Sequence, residues 1–339
     1  MQRNEKDVLT MQPKMSIAHA ANFLGISMQA AHKQLKLKNI TCPRFGNKFY
    51  LTHFEAKKLF DIQFDRKIIV GQIVKGGTGK TTTIENVSSC ANTYGARILK
   101  IDADPQGNLT DACGIDPENL PVLIDIVKGE ASIKDSIINL SAGIDLLPSR
   151  IENVVLDNVL VTDRLRLDTF YEDLIKPIAD DYDFIFIDCP PTMGQAVTAA
   201  SLIANMILAP LNPDKFSAKG LKILKNEIET LSKIYKKEIQ FKVFLNKFSS
   251  KTILSDKAVM TLLSDPVLEG KILNTTVQFS QDIPNITDTN RNLFSSLKNS
   301  PPRDDFDGLT RELLSINPAF KKISDEKLKQ ESADIETIS

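Results

Sequence analysis

Two lysines lie in one glycine-rich stretch, VKGGTGKTTT, at residues 74–83. Glycines let the backbone turn sharply and direct its N–H groups at phosphate oxygens. Lys80 can reach the β- and γ-phosphates of a nucleotide, and the Thr81 hydroxyl can ligate Mg²⁺. The stretch therefore predicts a phosphate-binding loop made of Gly76, Gly77, Thr78, Gly79, Lys80, Thr81 and Thr82.

Lys75 opens the loop, and position 74 is Val where the usual pattern G-x-x-x-x-G-K-[ST] has Gly. One interpretation is a solvated loop charge. The other is a second cation for the γ-phosphate, because an added positive charge stabilises the charge that develops during phosphoryl transfer.

Carboxylates end two apolar runs downstream. IDADPQGN (101–108) contains Asp102 and Asp104, and FIFIDCPP (184–191) contains Asp188. The second run has the form of a Walker B strand, which predicts that Asp188 binds Mg²⁺ through water. A single aspartate after a strand is also common in acidic loops, so the complete strings carry the argument rather than any one residue.

These side chains need strands and helices to position them. Continuous apolar runs, typical of strands buried on both faces, occur at 67–74, 96–103, 143–148, 184–189, 206–211 and 241–246, with a weaker run at 272–277. Helix-like stretches at 80–94, 152–180 and 216–238 lie between them. The alternation predicts an α/β fold with a doubly wound, mostly parallel sheet, as in P-loop NTPases.

The K-G-G-T-G-K-T loop, the DPQGN string and the FIFIDCPP strand occur in the order found in the signature-lysine P-loop ATPases. The chain resembles the ParA and Soj partition ATPases over about residues 67–318. DPQGN favours them over MinD and the nitrogenase iron protein, which belong to the same group. The segment after residue 272 matches the ParA pattern only loosely.

The resemblance implies roles for individual residues. Two ATP-bound subunits pack face to face, and Lys75 reaches the partner's phosphates. Asp104 orients the attacking water, Asp102 lies near the Mg²⁺ water shell, and Asn246, at the end of the run at 241–246, binds adenine. An asparagine at a strand end is also a common turn residue.

Residues 15–36 favour a helix–turn–helix. Gly25 fits the turn, and Ser27 can cap the second helix. RFGNKFYLT predicts a hairpin around Gly46-Asn47, which would make a wing as in MerR-like regulators. Candidate DNA contacts are Gln29, His32, Lys33, Lys36, Arg44 and Lys48.

Charge supports this interpretation. Residues 1–67 carry twelve Lys and Arg against five Asp and Glu, whereas the whole chain has a net charge of −1. A basic segment on an acidic body predicts an anionic partner. A helical packing module with an incidental basic surface is the alternative. The predicted division is a DNA-binding module at 1–64, an ATPase domain at 65–320 and a polar tail at 321–339.

Several classes are disfavoured. No apolar run approaches the roughly 20 residues of a membrane span, and the N-terminus lacks the apolar core of a signal peptide. The spacing of Cys42, Cys90, Cys113 and Cys189 predicts reduced thiols rather than a zinc site. We therefore expect a cytoplasmic protein without a membrane partner; association with the nucleoid follows only from the family resemblance.

The resemblance implies an ATP- and Mg²⁺-dependent homodimer that binds DNA non-specifically, hydrolyses ATP when a ParB-like centromere-binding protein stimulates it, and represses its own operon. The lysines of 215–237 could form the non-specific DNA patch, or a solvated helix face. Two other functions stay open: a nucleotide-switched transcriptional repressor and a MinD-like positioning ATPase.

Overall fold

The computed structural model describes residues 11–249, 259–260, 262 and 264–318, and only the backbone of 215–218. The predicted polar tail and the first ten residues lie outside this range. None of the described helices is long and apolar enough to cross a membrane.

A seven-stranded sheet forms the centre of the molecule, in the order β10-β9-β4-β8-β5-β7-β6. Every neighbouring pair is parallel except β6–β7. The mostly parallel sheet that the apolar runs predict is therefore confirmed. Its strands are β4 (Lys67–Gly71), β5 (Ile98–Asp102), β6 (Ile138–Ser141), β7 (Ile144–Leu147), β8 (Phe184–Asp188), β9 (Met206–Leu211) and β10 (Phe241–Leu245).

The order of the strands brings the candidate site residues together at the carboxyl ends of the strands. Strand β8 lies between β4 and β5, although it comes much later in the chain. The carboxyl ends of β4, β8 and β5 therefore meet, which is where parallel α/β sheets bind their ligands. The residues after β4 are the glycine-rich loop, and β8 and β5 end at Asp188 and Asp102.

Helices cover the sheet. Those of the sheet-forming part are α4 (Lys80–Thr93), α5 (Asn108–Ala112), α6 (Leu123–Val127), α7 (Ile133–Ser136), α8 (Leu156–Thr162), α9 (Phe170–Ile175), α10 (Gln195–Ile203), α11 (Lys215–Tyr235), α12 (Asp282–Thr287) and α13 (Pro301–Leu314), with 3₁₀ turns at Ile151–Val155, Ala179–Asp181 and Pro266–Leu268. The loop-following helix α4 is buried almost along its whole length and packs against β8 and α13.

The prediction of one helical stretch over residues 152–180 is wrong, because two separate helices form there. Helix α8 ends where Arg164 adopts a left-handed conformation, with φ +53°. The Leu165 amide then donates to the Leu160 carbonyl at 3.0 Å, which closes the helix as a Schellman-type cap does. A new helix starts only at Phe170.

The weak strand expected at 272–277 forms only an isolated bridge between Ile272 and Val243. Glu312 accepts the amide hydrogens of Asn274 and Thr275, at 2.7 and 2.9 Å, so these groups are not available to a strand ladder. Strand β6, a short antiparallel edge strand, has no continuous apolar run and is not predicted by the sequence.

The N-terminal segment contains α1 (Ile17–Leu24), α2 (Met28–Leu37) and α3 (His53–Phe60). Gly25 has φ +66° in the turn between α1 and α2, and the Ser27 hydroxyl caps α2 by accepting from the Ala30 amide at 3.2 Å. Three short strands form a second sheet: β1 (Met15–Ser16), β2 (Arg44–Phe45) and β3 (Lys48–Leu51).

This segment and the larger sheet share one hydrophobic core. The Tyr94 ring, just after α4, lies 4.7 Å from the Phe23 ring and 5.9 Å from the Phe60 ring, centroid to centroid. The Tyr94 hydroxyl donates to Asp307 at 2.7 Å, and His19 Nε2 lies 3.3 Å from the same carboxylate. The N-terminal segment is thus packed onto the end of α4.

Candidate functional site

The glycine-rich loop connects β4 to α4 with two residues in the left-handed region. Gly77 has φ +73° and Gly79 has φ +92°, conformations that cost other residues strain. A Cβ on Gly79 would also overlap the Asn246 side-chain nitrogen. Glycine at 79 is therefore required by both the backbone and its neighbour.

Side chains from neighbouring strand ends hold the loop from outside. Asn246 Nδ2 donates to the Thr78 carbonyl at 2.7 Å. Lys247 Nζ and Asn212 Nδ2 donate to the Gly77 carbonyl at 2.9 and 3.3 Å. With its carbonyls bound in this way, the loop is held in place, as an anion-binding loop requires.

Lys80, the first residue of α4, is only 8% exposed. Its ammonium donates to the Lys75 carbonyl at 3.4 Å. Burial lowers the pKa of Lys80, while the charge of Asp188 acts in the opposite direction. A buried cation at the start of a helix, beside a glycine-rich loop, is suited to phosphate.

Asp188, at the end of β8, is fully buried and accepts from the Thr81 hydroxyl at 2.6 Å. Its other oxygen, Oδ1, has no hydrogen-bond partner among the described residues. Burial, and then the charge of Asp102, raises the pKa of Asp188 to about 8. A partnerless carboxylate oxygen beside a threonine hydroxyl fits a hard divalent cation such as Mg²⁺.

Asp102 lies directly beside Asp188, because the two are paired in the register of β5 and β8. Asp102 accepts from the Thr110 amide and hydroxyl, at 2.8 and 2.7 Å, and from the Asp104 amide at 3.2 Å. Burial raises the pKa of Asp102 to about 6. Its carboxylate therefore holds the loop after β5 in place. Its negative charge, next to that of Asp188, favours the binding of a cation nearby.

Asp104 follows in that loop and is 6% exposed. One of its oxygens accepts from the Gln106 amide at 3.0 Å, within the DPQGN turn. Asp104 lines the same cavity as Lys80 and Thr81. The structure thus brings together at one site the three aspartates and two loop residues that the motifs indicate.

Lys75 has a partner that the motifs did not indicate. Its ammonium contacts both oxygens of Asp214, at 2.7 and 2.6 Å. The two side chains are 21% and 36% exposed. Asp214 lies between β9 and α11, 139 residues from Lys75, so nothing in the local sequence could pair them.

The cavity at this edge has a volume of about 930 Å³. The glycine-rich loop and α4 form one wall, the loop with Asp104 forms another, and residues 278–290 close a third side. Among the described residues, no cluster of three His, Cys, Asp or Glu side chains could hold a metal ion. A cation here would need oxygen ligands from phosphate and water as well.

The candidate DNA contacts are separate from this cavity. On α2, the side chains of Gln29, His32, Lys33 and Lys36 are all exposed. Arg44 and Lys48 are exposed on the hairpin, where they have different cross-strand partners, Phe49 and Phe45. The Arg44 guanidinium lies 4.9 Å from the centre of the Phe49 ring. Of the lysines between 215 and 237, Lys215 has no described side chain.

Comparisons with known proteins show a family and a fold that this chain shares. A family model described as an AAA domain matches residues 66–241. A ParA family protein of Chlamydia muridarum is 31% identical over 256 residues, which cover 74% of this chain and 98% of that protein.

Two solved structures share the fold. McdA from Cyanothece, in complex with ATP, has a TM-score of 0.67 at 22% identity, over 75% of this chain and 98% of McdA. Cobyrinic acid a,c-diamide synthase from Mycobacterium smegmatis, with bound ATP analog and magnesium, has a TM-score of 0.64 at 21% identity, over 74% of this chain and 94% of the synthase. At these identities the likeness concerns the fold alone.

Proposed function

This chain belongs to the ParA family of partition ATPases, and from that premise we propose that it segregates DNA by ATP-driven dimerisation on DNA. The observation that carries the proposal is the pair of lysines, Lys75 and Lys80, in one loop beside Asp104 and Asp188. A nucleotide-binding protein without hydrolysis would need neither the second lysine nor a carboxylate placed for water.

ATP and Mg²⁺ are its cofactors. The loop amides and Lys80 would bind the phosphates, and Thr81 and Asp188 would hold Mg²⁺. When bound, Mg²⁺ neutralises charge on the β- and γ-phosphates. Asp188, whose Oδ1 has no hydrogen-bond partner among the described residues, would be favoured in its ionised form by such a cation.

Hydrolysis is attack of water on the γ-phosphorus. Asp104 accepts a hydrogen bond from that water and aligns it, since one of its oxygens is already held by the Gln106 amide. The bond from phosphorus to the bridging oxygen breaks, which gives ADP and phosphate. Lys80 stabilises the charge on the phosphates throughout.

Lys75 acts across the dimer. In a single subunit its ammonium is bound to Asp214. Face-to-face packing of two ATP-bound subunits offers it the partner's phosphates instead, which carry more charge than one carboxylate. Because Lys75 would reach phosphates only in the dimer, the positive charge that it supplies depends on dimerisation, as that of an arginine finger does.

Asn246 contributes to base recognition. Its Nδ2 is bound to the Thr78 carbonyl, which leaves the amide oxygen, an acceptor, for the base. An acceptor suits the amino group of adenine and not the carbonyl oxygen at the same position of guanine. Asn246 would then contact the phosphate loop through its Nδ2 and the base through its amide oxygen.

DNA would be bound in two ways. The exposed side chains of α2 and the hairpin would read an operator, with α2 in the major groove. The ATP-bound dimer would grip DNA of any sequence on the nucleoid through its basic surfaces, until a ParB-like centromere-binding protein stimulates hydrolysis. The proposed division is a module at 1–64 and an ATPase at 65–320.

A nucleotide-switched repressor is the second candidate. The observation that favours it is the shared core, which packs the proposed operator-reading module onto the end of α4. In that case ATP or ADP would only set the position of the module, and hydrolysis would be secondary.

The deciding experiment is binding to a random-sequence DNA duplex with ATP–Mg²⁺, ADP–Mg²⁺ or no nucleotide, at fixed salt. The full chain is compared with a Lys33→Glu/Lys36→Glu variant, in which two exposed positions of α2 are reversed in charge. Binding that needs ATP and survives in the variant supports partition. Binding that ignores nucleotide and is lost in the variant supports the repressor.

A further inference from the structure

A groove of about 560 Å³ lies at the amino end of β10. Its lining includes Phe241, the first residue of β10, whereas Asn246, directly after the last residue of that strand, lines the cavity of the glycine-rich loop. At about 3.3 Å per residue, the five-residue strand separates the two by roughly 16 Å. The groove is therefore a second candidate binding site, and the proposed reaction does not use it.

The rim of the groove is basic. Lys225 is paired with Asp265 at 2.7 Å, but Lys233 and Lys236 are exposed and form no ion pair within the described part of the chain. The groove therefore offers ammonium groups to a ligand that carries negative charge. In all, five lysines line it, against two acids: Lys225, Lys233, Lys236, Lys237 and Lys271, with Glu229 and Glu238.

The floor of the groove is apolar. Phe241 and Ile239 are buried there, and Val267 is exposed. The Lys271 ammonium lies 4.5 Å from the centre of the Phe241 ring, which holds this charge at the edge of the apolar surface. A ligand made of phosphates alone would leave the floor uncovered. Carboxylates next to aliphatic side chains would match both the rim and the floor.

The sequence beyond the described residues contains such a segment, ESADIETIS, at residues 331–339. This acidic segment carries three acids and two isoleucines, and it has no lysine or arginine. Residues 321–329, which precede it in the polar tail, carry four lysines against two acids. Because a basic groove attracts carboxylates and repels ammonium groups, only the acidic segment of the tail is suited to it.

Helix α13 directs the chain from the cavity of the glycine-rich loop towards the groove. Near the start of α13, Asp305 accepts from the amide of Gln278, which lines that cavity, at 2.9 Å. In the last turn of α13, Glu312 accepts from the Asn274 amide at 2.7 Å. Asn274 is three residues beyond Lys271 of the groove. The end of α13 is therefore close to the groove along the chain that lines it.

Twelve residues, 319–330, separate the end of the described chain from the acidic segment, and they could span up to about 40 Å. We propose that the groove binds the acidic segment of the same chain, with its carboxylates on the lysines of α11 and its aliphatic side chains on Val267. This contact lies outside the cavity of the glycine-rich loop and requires no nucleotide. It would withdraw Lys233 and Lys236 from any role in gripping DNA.

The test is zero-length crosslinking of the full chain with a carbodiimide, which joins an ammonium group to a carboxylate where the two are in contact. Peptide mass spectrometry should find crosslinks from the acids of residues 331–339 to the lysines of the groove. Lys233→Glu/Lys236→Glu should lower the crosslink yield at the unaltered Lys271 about tenfold or more, because repulsion replaces attraction. Lys128→Glu/Lys134→Glu, which reverses two exposed charges elsewhere, is the matched control and should leave that yield unchanged.

A charge exchange separates a lost contact from a damaged structure. Adding Asp334→Lys/Glu336→Lys to Lys233→Glu/Lys236→Glu should restore crosslinks between α11 and residues 331–339. The carboxylates would then lie on α11 and the ammonium groups in the acidic segment. A combined variant that stays without these crosslinks would contradict direct contact between the two.

Mixing chains labelled with natural and heavy nitrogen shows which chain supplies each crosslinked residue. Crosslinks within one isotope form are expected. Crosslinks that join the two forms in statistical proportion would make a second copy the occupant and overturn the proposal. It is also overturned if the acids react equally with lysines throughout the chain. The groove would be assigned to DNA instead if no groove crosslink forms and Lys233→Glu/Lys236→Glu removes binding to a random-sequence duplex.

Discussion

At the scale of single residues, Lys75 and Asp188 have partners here that differ from those the proposed reaction requires. Lys75 is paired with Asp214 rather than with phosphate. Asp188 accepts from the Thr81 hydroxyl, and its Oδ1 has no hydrogen-bond partner among the described residues. Both residues are thus arranged in a state that ATP, Mg²⁺ and a second subunit would change, and each gives a prediction.

Replacing Asp214 should favour the dimer. Asp214→Asn removes the charge that holds Lys75 in its own subunit, so less protein should be needed to form the ATP-dependent dimer. A partly exposed ion pair contributes about 0.2–1 kcal/mol and each dimer breaks two such pairs, one in each subunit, so the concentration at half-maximal dimerisation should fall by about twofold to thirtyfold. Sedimentation velocity in ATP–Mg²⁺ measures it.

The control is Asp265→Asn. Asp265 pairs with Lys225 at 2.7 Å, with exposures of 33% and 16%, so it resembles the Asp214 pair but lies away from the cavity. It should leave dimerisation unchanged. An Asp214→Asn variant that dimerises at the same or higher concentration would contradict the idea that Asp214 restrains Lys75.

Replacing Asp188 should stabilise the nucleotide-free protein while reducing its activity. The pKa of Asp188 is about 8 when folded and about 3.9 when unfolded, so its cost to folding grows as pH rises between these values. Asp188→Asn removes that cost. Without Mg²⁺ and nucleotide, its Tm should exceed that of the unaltered chain at pH 8, and by less at pH 5.

The same variant should lose ATP hydrolysis by about a hundredfold or more, because Mg²⁺ loses its carboxylate. Saturating ATP–Mg²⁺ should raise the Tm of the unaltered chain more than that of the variant. If the Tm difference between the variant and the unaltered chain were the same at pH 8 and at pH 5, Asp188 would not be held neutral in the free protein.

At the scale of elements, α4 links two regions. Its 14 residues span about 21 Å. Its first residue, Lys80, faces the phosphate cavity, and Tyr94 beyond its last turn packs on Phe23 and Phe60. Helix α3 adds a buried His53, whose Nδ1 accepts from Asn92 Nδ2 at 3.2 Å. The N-terminal segment is therefore attached through polar as well as apolar contacts.

His53 makes this attachment sensitive to acid. Burial, and then the charge of Lys57, lowers the pKa of His53 below its usual 6.5. The unfolded chain then binds a proton that the folded chain excludes, so stability falls as pH drops through 6.5 towards the folded pKa. The drop in Tm from pH 7.5 to 5.5 should be larger in the unaltered chain than in His53→Gln.

Each kcal/mol of unfolding free energy that is lost through this proton binding lowers the Tm by roughly 2–4 °C in a chain of this size. The comparison uses the difference between the two pH values within each protein, so any constant loss of stability in the variant cancels. An identical drop in both proteins would mean that His53 titrates normally in the folded state.

At the scale of the whole molecule, the N-terminal segment is part of one core and not an appended unit. Besides the Tyr94 contacts, Phe64 packs on Phe184 of β8 at 5.4 Å between ring centroids. The Lys14 amide donates to the Phe294 carbonyl at 2.8 Å. Removal of the N-terminal segment would expose apolar surface on that segment and on the sheet-forming part of the chain.

A chain starting at Asp65 should therefore be less stable than the full chain. Loss of the Phe23 and Phe60 contacts alone is comparable to large-to-small core substitutions, about 3–5 kcal/mol each, so a drop in Tm of about 10 °C or more is expected. Differential scanning fluorimetry measures it, with Lys33→Glu/Lys36→Glu as the control that alters only exposed residues. A truncated chain with an unchanged Tm would show that the segment is independent.

Sequence alone determined the parts that depend on near neighbours along the chain. Glycines at 77 and 79 require the loop conformation, continuous apolar runs require buried strands, and an aspartate ending a strand must lie at the sheet's carboxyl edge. These effects act over a few residues, so motifs report them. Departures such as the break at Arg164 arose where a local turn competed with helix periodicity.

Only the tertiary structure decided which distant side chains meet. Asn246 reaches Thr78 across 168 residues, and Lys75 reaches Asp214 across 139. Phe279 lines the cavity while its amide donates to the Phe248 carbonyl, and Tyr94 meets Phe23 and Phe60 where α3 packs against α4. Local patterns set which faces are apolar, but many partners can cover such a face. The order of strands in the sheet selects among them.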